Sequence, residues 1–579
     1  MRRDNGLDLL LLHPPSVYDF REKSIFYGPV SDLIPSSPVF EMYPLGFLTI
    51  ASYLRERGMN VRIANLAVRM MEEPRFSVPR FLASVSPGAV GIDLHWLPHA
   101  HGALEVARVV KEIHPDIPVI MGGLSSTYFH EELIGYPQVD YVLRGDSTEP
   151  PLHQLLQSFG DRRALSSIPN LTWKDGGRPQ VNPMTFLPQS LDYVDLRPDL
   201  MVEMVMRYRD RRSVIPFSGW WSNPTTAVFT VKGCACECVT CGSSKTTCAH
   251  LTKRTRPVFR SPASVAANVV AISHLTRSPI FLVGDLLQAG VAYADEVLSA
   301  LHDAHVPNLL VFEFFDLPPL DFLGRIDASV AHWSMEISPE SHDHEVRRAQ
   351  EGEPSYDNAQ LECVLTEALR LHCSRVDVFF MIGMPLQTYQ SVQETITYCE
   401  RLFRISDKRL SCFISPLGPF VDPGSRVFQD PERFGYRLFA RSLEEHRRLL
   451  LEPSWESILN YETQWMSRSE LVDATYDAAE RLNELKLKYA RITSRRGRLV
   501  ASRIEAAREL RSRLAAKSQQ QGEQVLHAGL NADIAKYSES TMCDKRELLW
   551  PRHLFNFRLA EIVGIGLRHF FTHRGDTAS

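Results

Sequence analysis

The chain lacks several features that would narrow its class at once. It has no run of about 18 apolar residues, so the sequence predicts no transmembrane helix. Its N-terminal apolar run is too short for a secretory signal peptide. Basic residues are not in excess, because 64 Lys and Arg stand against 69 Asp and Glu for a net charge of −5. We therefore expect a cytoplasmic protein with neither a membrane nor nucleic acid as its partner.

Two further absences concern motifs. No Gly-x-Gly-x-x-Gly segment follows a strand-like run, which argues against a nicotinamide-binding domain. No internal repeat recurs at a fixed period, which argues against a solenoid. The chain has 579 residues, and about 150 residues per domain predicts three or four domains.

What is present is an alternation of strand-like and helix-like segments. Residues 1–165 contain five short apolar runs with amphipathic stretches between them, which predicts a Rossmann-like, doubly wound α/β domain. Residues 166–215 have no regular period and are interpreted as a linker that holds a hairpin turn. Residues 216–430 contain six further strand-like runs, which predicts a partial (β/α)6 barrel. Residues 431–579 are charged and helical in pattern and predict a helical C-terminal domain.

Cysteines are concentrated at one place in the second series. Four of the ten lie within eight residues, directly after the strand-like run "TTAVFTVK": Cys234, Cys236, Cys238 and Cys241. In a cytoplasmic protein such crowding indicates metal or redox chemistry rather than disulfides. Thiolates are the usual ligands of iron–sulfur clusters, and four of them can also close a zinc tetrahedron. Cys234 and Cys236 are too close in sequence for an ordinary zinc knuckle.

The spacing Cys234-x3-Cys238-x2-Cys241 after a first barrel strand resembles the radical S-adenosylmethionine (radical SAM) superfamily. The resemblance implies that these three thiolates bind a [4Fe–4S] cluster whose fourth iron holds S-adenosylmethionine (SAM). It also implies reductive cleavage of SAM to a 5′-deoxyadenosyl radical. Cys236 is then a neighbour rather than a ligand, and Thr240 stands where the family usually has an aromatic residue.

Further segments resemble the SAM-binding features of that family, in the same order along the chain. They are "LVGDL", "SMEISPES" with the arginines that follow it, and "FMIGMP". The resemblance implies contacts to the SAM amino group, ribose, carboxylate and adenine. The residues so implied are Gly284 and Asp285 for the amino group, Glu336 and Ser338 for the ribose, Arg347 for the carboxylate and Gly383 near the adenine.

A Rossmann-like domain ahead of such a barrel resembles the cobalamin-binding class of the superfamily, and the likeness covers residues 8–430. Ligands of open α/β sheets lie outside the carboxyl ends of the strands. The cobalamin contacts so implied are Pro14, Ser16, Asp93, His95, Gly122, Gly123, Thr127, Gly145 and Glu149. The Asp-x-His-x-x-Gly loop of other cobalamin carriers is missing after the first strand, so His95 is not expected as a lower axial ligand. The alternative is a domain that serves only as a scaffold.

The resemblance implies a cobalamin-dependent radical SAM enzyme that methylates an unactivated carbon or phosphorus centre. Its partners would be a small-molecule or peptide substrate and an electron donor such as flavodoxin or ferredoxin. One alternative is a radical rearrangement or cyclisation without methyl transfer. Another is a non-catalytic metal-binding protein that contacts RNA through eleven basic residues between Lys486 and Lys517. We expect that basic stretch to form a solvated helix face that covers the barrel.

Overall fold

A computed structural model describes residues 6–23, 25–29, 45–350, 356–520, 541–550 and 555–574. Two α/β units follow one another along the chain, and a largely helical region packs against the second. The fold class predicted from the sequence is confirmed. None of the helices in the described ranges is both long enough and apolar enough to cross a membrane.

The N-terminal unit is built on a seven-stranded sheet. Its strand order is β2-β1-β3-β4-β5-β6-β7, and β1 to β5 are parallel. The first strand lies between β2 and β3 and is buried on both faces, as expected for a continuous apolar run. The strands are β1 Leu7–His13, β2 Val61–Asn65, β3 Pro87–Asp93, β4 Val119–Gly122, β5 Tyr141–Leu143, β6 Leu171–Asp175 and β7 Arg178–Val181.

The last two strands correct the predicted linker. The segment read as a linker hairpin pairs antiparallel with β5 and extends the N-terminal sheet to Val181. Gly176 and Gly177 form its turn, and both have positive φ angles, which glycine adopts without strain. The strand β7 is exposed at every residue, so it carries no apolar pattern from which the sequence could reveal it.

The second unit is a six-stranded, fully parallel sheet with its strands in chain order. All six predicted barrel strands are present, and the sheet stops at six. Its strands are β8 Thr226–Phe229, β11 Ile280–Val283, β12 Leu309–Phe314, β13 His332–Glu340, β14 Val376–Ile382 and β15 Leu410–Pro416. The short strands β9 Val231–Lys232 and β10 Val258–Phe259 form a separate antiparallel pair beside the first of them.

The C-terminal region closes this partial barrel at its open edge. Helix α20, Arg468–Lys488, packs along the last strand and the helix that precedes it. Residues 541–550 reach the inner face of the sheet, where the Trp550 ring lies 5.6 Å from that of Phe281. The region is not wholly helical, because β16 Tyr436–Leu438 and β17 Tyr461–Thr463 form an antiparallel hairpin within it.

The remaining elements connect and cover the two sheets. The helices are α1 Leu45–Arg55, α2 Leu66–Glu72, α3 Val78–Ala83, α4 Ala100–Ile113, α5 Leu124–Tyr128, α6 His130–Leu133, α7 Glu149–Gln157, α8 Arg162–Ser167, α9 Asp199–Tyr208, α10 Lys245–Leu251, α11 Pro262–Ser273, α12 Val291–Ala304, α13 Leu320–Ser329, α14 His344–Arg348, α15 Asn358–Arg370, α16 Tyr389–Ile405, α17 Arg426–Gln429, α18 Leu443–Leu449, α19 Trp455–Ile458, α21 Ser494–Gln520 and α22 Leu559–Arg574. Short 3-10 turns occur at Phe20–Glu22, Leu97–His99, Leu286–Ala289, Glu432–Phe434 and Lys545–Glu547.

Candidate functional site

The clustered cysteines lie on the loop that leaves the first barrel strand at its carboxyl end. The Thr230 hydroxyl donates to the Val283 carbonyl at 2.9 Å and ties this exit to the end of the second barrel strand. We call residues 233–244 the cluster loop. Carboxyl ends of parallel barrel strands are where β/α folds place their chemistry. The loop is therefore positioned by the sheet itself.

Several N–H groups point at the thiol sulfurs. The Cys236 amide donates to Cys234 Sγ at 3.4 Å, and the Ser243 amide donates to Cys241 Sγ at 3.3 Å. The Gln288 side chain donates to Cys234 Sγ at 3.6 Å. Hydrogen bonds of this kind stabilise thiolates and tune the potentials of iron–sulfur clusters. The donor set fits a thiolate-bound cluster.

The spread of the thiols argues against a single zinc ion. Tetrahedral zinc has Zn–S bonds of about 2.3 Å, which brings its sulfurs to within ~3.8 Å of one another. Over the described ranges, the one group of three metal-ligating side chains with ligand atoms within 4.8 Å of each other is His13, Asp93 and His99. No three cysteines meet that limit, so the cluster loop suits a wider, multinuclear centre.

Cys236 behaves as a neighbour of the expected ligands. Its side chain interacts with that of Cys234, and this interaction is the main reason that the pKa of Cys234 is lowered. The same contact raises the pKa of Cys236 itself. Cys248, further along the chain, donates its thiol to the Ser243 carbonyl at 3.3 Å.

Thr240 occupies the place of the expected aromatic residue and is almost fully buried. Its hydroxyl donates to the Gln350 side chain at 3.4 Å, and the Val239 amide donates to the Gln350 carbonyl at 3.1 Å. The Gly242 amide donates to Asp422 Oδ2 at 2.8 Å. The cluster loop is thus held by the segments after the fourth and sixth barrel strands, through polar contacts instead of aromatic packing.

The predicted contacts to the SAM amino group lie at the end of the second barrel strand. The Gly284 amide donates to Glu313 Oε2 at 2.9 Å. The Asp285 carboxylate accepts the amides of Leu287 at 2.8 Å and Phe315 at 3.1 Å. Burial raises the pKa of Asp285 to about 6. These two amides occupy the Asp285 carboxylate, which caps a turn. The candidate SAM contacts of this segment are therefore its backbone groups.

The other predicted SAM residues are distributed along the rim of the barrel. Ser338 is exposed near the end of β13, and Glu336 lies two residues deeper on the same face. Gly383 follows β14, where a side chain would come within 2.9 Å of the Tyr461 hydroxyl. The Arg347 guanidinium donates to the Tyr356 carbonyl at 2.9 Å and to Asn358 Oδ1 at 3.1 Å. The SAM contacts of all four residues stay predictions.

Glu149, expected at cobalamin, and the nearby Asp146 lie where the two domains meet. Asp146 accepts two hydrogen bonds from Arg254, at 2.5 and 3.0 Å, and Arg254 is almost fully buried. The Lys232 ammonium donates to the Asp146 carbonyl at 2.6 Å and lies 4.0 Å from Glu149. We call Asp146, Glu149, Lys232 and Arg254 the domain latch. It joins the N-terminal unit to Lys232, which directly precedes the cluster loop, and to Arg254, which follows helix α10.

Further hydrogen bonds fix the positions of the residues around the domain latch. Glu149 also accepts hydrogen bonds from Thr49 at 2.8 Å and Tyr193 at 2.9 Å. The Gly145 amide donates to the Thr127 hydroxyl at 2.9 Å. Sequence reasoning named Thr127, Gly145 and Glu149 but missed Arg254, which no motif marks.

The carboxyl ends of β1 and β3 meet at the point where the strand order of the N-terminal sheet reverses. There the His13 ring nitrogen Nδ1 lies 3.1 Å from both carboxylate oxygens of Asp93, and the His13 and His99 rings are 5.0 Å apart. All three side chains are buried. Pro14 and Ser16 follow directly, and the Ser16 carbonyl accepts the Gly102 amide at 2.9 Å. Sequence reasoning named Asp93, Pro14 and Ser16 and missed His99.

A family model, the B12-binding domain, matches residues 33–153. Among solved structures, the radical SAM methyltransferase TsrM of Kitasatospora setae, with tryptophan and a SAM analog bound, superposes with a TM-score of 0.55 at 16% identity, over 75% of this chain and 78% of that one. OxsB, a cobalamin-dependent SAM radical enzyme with aqua-cobalamin bound, superposes with a TM-score of 0.52 at 11% identity, over 99% of this chain and 81% of that one. The chain has the fold of the cobalamin-dependent radical SAM enzymes. No curated protein sequence matches it significantly.

Within the B12-binding domain, the two glycines after β4 have different roles. Gly123 has a φ of +112°, and a side chain there would come within 2.7 Å of the His95 backbone. The Ser125 amide and hydroxyl both donate to the His95 carbonyl, at 3.1 and 2.9 Å. Gly122 has no atom nearer than 3.9 Å to a side-chain position. Gly123 therefore joins two loops, whereas Gly122 borders open space at the predicted cobalamin edge.

A cavity of about 1080 Å³ lies on the β2 side of the B12-binding domain and contains no residue of the cluster loop. Arginines dominate its lining: Arg62, Arg69, Arg75, Arg80, Arg209, Arg211 and Arg212. Part of this charge is neutralised, since Asp210 accepts a hydrogen bond from Arg69 at 2.8 Å. The cavity is separate from the candidate site.

Proposed function

We propose that the protein is a cobalamin-dependent radical SAM enzyme. The observation that supports it most is the cluster loop, with three suitably spaced thiols at the carboxyl end of the first barrel strand, fastened by the domain latch to a B12-binding domain. Neither unit alone would indicate this function. Their direct connection brings a site for a radical initiator next to a site for cobalamin.

Cys234, Cys238 and Cys241 would hold a [4Fe–4S] cluster. When bound, that cluster supplies the single electron that cleaves SAM, and three protein ligands leave one iron open. The chain's own contribution is to orient the thiolates through the Cys236, Ser243 and Gln288 N–H groups. Gly284, Asp285, Glu336, Ser338, Arg347 and Gly383 are the proposed SAM contacts.

Cobalamin would bind at the carboxyl edge of the N-terminal sheet. When bound, it supplies a carrier for a methyl group or an electron. The proposed contacts are Pro14, Ser16, Asp93, His95, Gly122, Gly123, Thr127, Gly145 and Glu149. Of these, Gly122 has open surroundings, whereas Glu149 is buried within the domain latch.

The reaction that we propose is methylation of an unactivated carbon or phosphorus centre of a small-molecule or peptide substrate. Its support is structural similarity to TsrM, a methyltransferase. A radical rearrangement or cyclisation without methyl transfer is the second candidate, because OxsB shares the fold over nearly the whole chain and is described only as a radical enzyme. The electron would come from a donor such as flavodoxin or ferredoxin in the cytoplasm.

The basic residues between Lys486 and Lys517 favour a structural role over RNA binding. Arg508 pairs with Asp477, and Arg511 donates to Glu456 at 2.7 Å. Lys486 is buried and pairs with Glu547 at 2.8 Å. Charges satisfied within the protein are not available for phosphates, so we do not propose an RNA partner.

Product mass distinguishes the two reactions. The protein would be reconstituted anaerobically with iron, sulfide and cobalamin, then supplied with SAM, a reductant and a metabolite extract. Methyl transfer adds the mass of one CH2 group to a metabolite and forms S-adenosylhomocysteine. A product of unchanged mass, with 5′-deoxyadenosine but no S-adenosylhomocysteine, would instead establish the rearrangement. Zinc in place of iron would contradict the proposed function.

A further inference from the structure

Three carboxylates lie side by side on the inner face of the barrel. Glu313 on β12 is paired in register with Glu336 on β13, and Glu336 is paired with Asp377 on β14. Trp333 identifies the outer side of the sheet, because its indole N–H donates to Asp327 of the outer helix α13 at 2.9 Å. Since side chains alternate along a strand, Glu336 points to the opposite, inner side. We call Glu313, Glu336 and Asp377 the acidic row.

The outer members of the acidic row have partners. The Arg375 guanidinium lies 2.7 Å from Asp377 and also donates to the Leu549 carbonyl at 3.1 Å. Glu313 accepts the Gly284 amide at 2.9 Å. Glu336, between them, accepts no hydrogen bond from any described residue, and it retains accessible surface. It is the one carboxylate of the row without a hydrogen-bond partner among the described residues.

The electrostatics of Glu336 are unfavourable without a cation. Burial, followed by repulsion from Asp377 and Glu313, raises its pKa to about 8. Arg375 is the only described cation that opposes this shift, and its guanidinium is already bonded to Asp377. Two neighbouring carboxylates in a desolvated site cannot both ionise at low cost unless positive charge is supplied.

A second polar group on the same face lacks a partner. Ser334 lies two residues before Glu336 on β13 and is completely buried, and its hydroxyl has no hydrogen-bond partner among the described residues. Buried hydroxyls are nearly always hydrogen-bonded, so an orphaned one beside the acidic row indicates a missing ligand or water. This observation is independent of the charges.

We propose that Glu336, assisted by Glu313, binds a cationic group of the substrate, such as an ammonium or a guanidinium. This inference rests on the proposed function and names the substrate class of the same site. Glu336 lies deeper in the barrel than Ser338, so this inference replaces the ribose contact proposed for Glu336 above and leaves that contact to Ser338. The same chemistry could be supplied by the ammonium group of SAM itself, and the test below separates the two sources.

The test measures the binding of matched probes to the reconstituted full-length protein by calorimetry. The probes are phenethylamine against 2-phenylethanol and butylamine against butanol, which differ only in the ammonium group. With SAM already bound, we expect at least one amine to bind about tenfold more tightly than its alcohol, because a charge-assisted hydrogen bond is gained. Glu336→Gln should remove this preference, because glutamine has nearly the same shape as glutamate but carries no negative charge. Glu367→Gln, on the exposed face of α15, is the matched control and should keep it.

Each other outcome overturns the inference. Equal affinities for amine and alcohol would show that the acidic row recognises no cation. An amine preference that SAM abolishes by competition would assign the site to SAM rather than to the substrate. An amine preference that survives both Glu336→Gln and Glu313→Gln would place the cation-binding site elsewhere. Failure of the proposed function is recognised separately, as an absence of SAM cleavage in the unsubstituted protein.

The pH dependence gives a second readout that a purely structural role would not produce. Glu336 must lose its proton to pair with a cation, so amine affinity should rise with pH up to about 8 and then level off. Glu313, Asp377 and Arg375 are the charged groups that act on it. Amine binding should release a proton below that pH, and Glu336→Gln should make the profile flatter. A pH-independent affinity in the unsubstituted protein would contradict the inference.

Discussion

At the scale of single residues, the cluster loop separates cysteines that look equivalent in the sequence. Spacing alone predicts Cys234, Cys238 and Cys241 as ligands, and the structure supplies N–H donors to two of their sulfurs. The side chain of Cys236 instead interacts with that of Cys234. Removal of the Cys236 thiol is therefore expected to affect the cluster less than removal of any of the other three.

Replacing Cys236 and Cys238 in turn tests this difference. Cys236→Ala should keep about four irons and four sulfides per chain after anaerobic reconstitution, because it removes no expected ligand. Cys238→Ala should lose most of both, since two thiolates hold a cubane poorly. Iron and sulfide analysis with the absorption spectrum is the measurement. Equal loss in the two variants would mean that Cys236 is a ligand.

The domain latch is a residue-scale feature that the sequence could not reveal. Asp146 and Arg254 lie 108 positions apart, and no spacing rule connects them. The segment around Gly145 and Glu149 was recognisable by resemblance, but its role as an interdomain contact depends on which surface packs against it. Motifs identify chemistry that depends on local spacing, whereas long-range pairs follow from the fold.

Asp146→Asn should destabilise the protein by about 3–5 kcal/mol, because it leaves the buried Arg254 guanidinium without its carboxylate. Burial opposes ionisation of Asp146, but the hydrogen bonds from Arg254 hold its pKa below the usual value. A lowered pKa contributes stability above the ordinary value of 3.8 and loses it as the pH falls further. The measurement is the free energy of unfolding in urea against pH.

Asp195→Asn is the control for the latch, because that carboxylate is 62% exposed and lies 3.9 Å from Arg260. The buried Arg260 keeps its hydrogen bonds to Asn268 and the Val194 carbonyl, so loss of the exposed carboxylate charge should cost less than about 1 kcal/mol. Similar losses for both substitutions would remove the basis for the latch. The latch would also be contradicted if, below pH 4, the free energy of unfolding of Asp146→Asn fell with pH as steeply as that of the unsubstituted protein.

At the scale of elements, buried parallel strands were the most predictable part of the fold. The six barrel strands and the five parallel strands of the N-terminal sheet are mainly apolar, because helices or the C-terminal region cover them. The pair β6 and β7 was misread as part of a linker, since β7 is exposed throughout. The sequence pattern predicted that the segment of α20 is helical. Its position at the open barrel edge depends on tertiary packing, which the local pattern does not specify.

The loops after β3 and β4 provide an element-scale prediction. Gly123→Ala should destabilise the B12-binding domain by about 1–3 kcal/mol, because a side chain is strained at a positive φ and would collide with the His95 backbone. Gly122→Ala, at a neighbouring position with open surroundings, should cost less than about 1 kcal/mol. Urea unfolding of the two variants is the comparison. Equal stabilities would show that the contact with His95 does not hold these loops together.

At the scale of the whole molecule, buried polar contacts join the B12-binding domain to the partial barrel. The domain latch attaches the B12-binding domain just before the cluster loop and beyond the helix that follows it, and α20 with residues 541–550 closes the barrel on its other side. Such an enclosure would exclude water from the proposed radical reaction. The substrate itself was beyond sequence reasoning, because the acidic row consists of one residue from each of three strands and matches no motif.

The central claim is that this chain cleaves SAM reductively at its cluster loop. The most direct measurement is the formation of 5′-deoxyadenosine from SAM under anaerobic conditions, with dithionite as reductant, by the reconstituted protein and by Cys238→Ala. The account predicts turnover by the unsubstituted protein and none above background by the variant. Absence of 5′-deoxyadenosine from a protein with a full complement of iron and sulfide would contradict it, as would undiminished cleavage by Cys238→Ala.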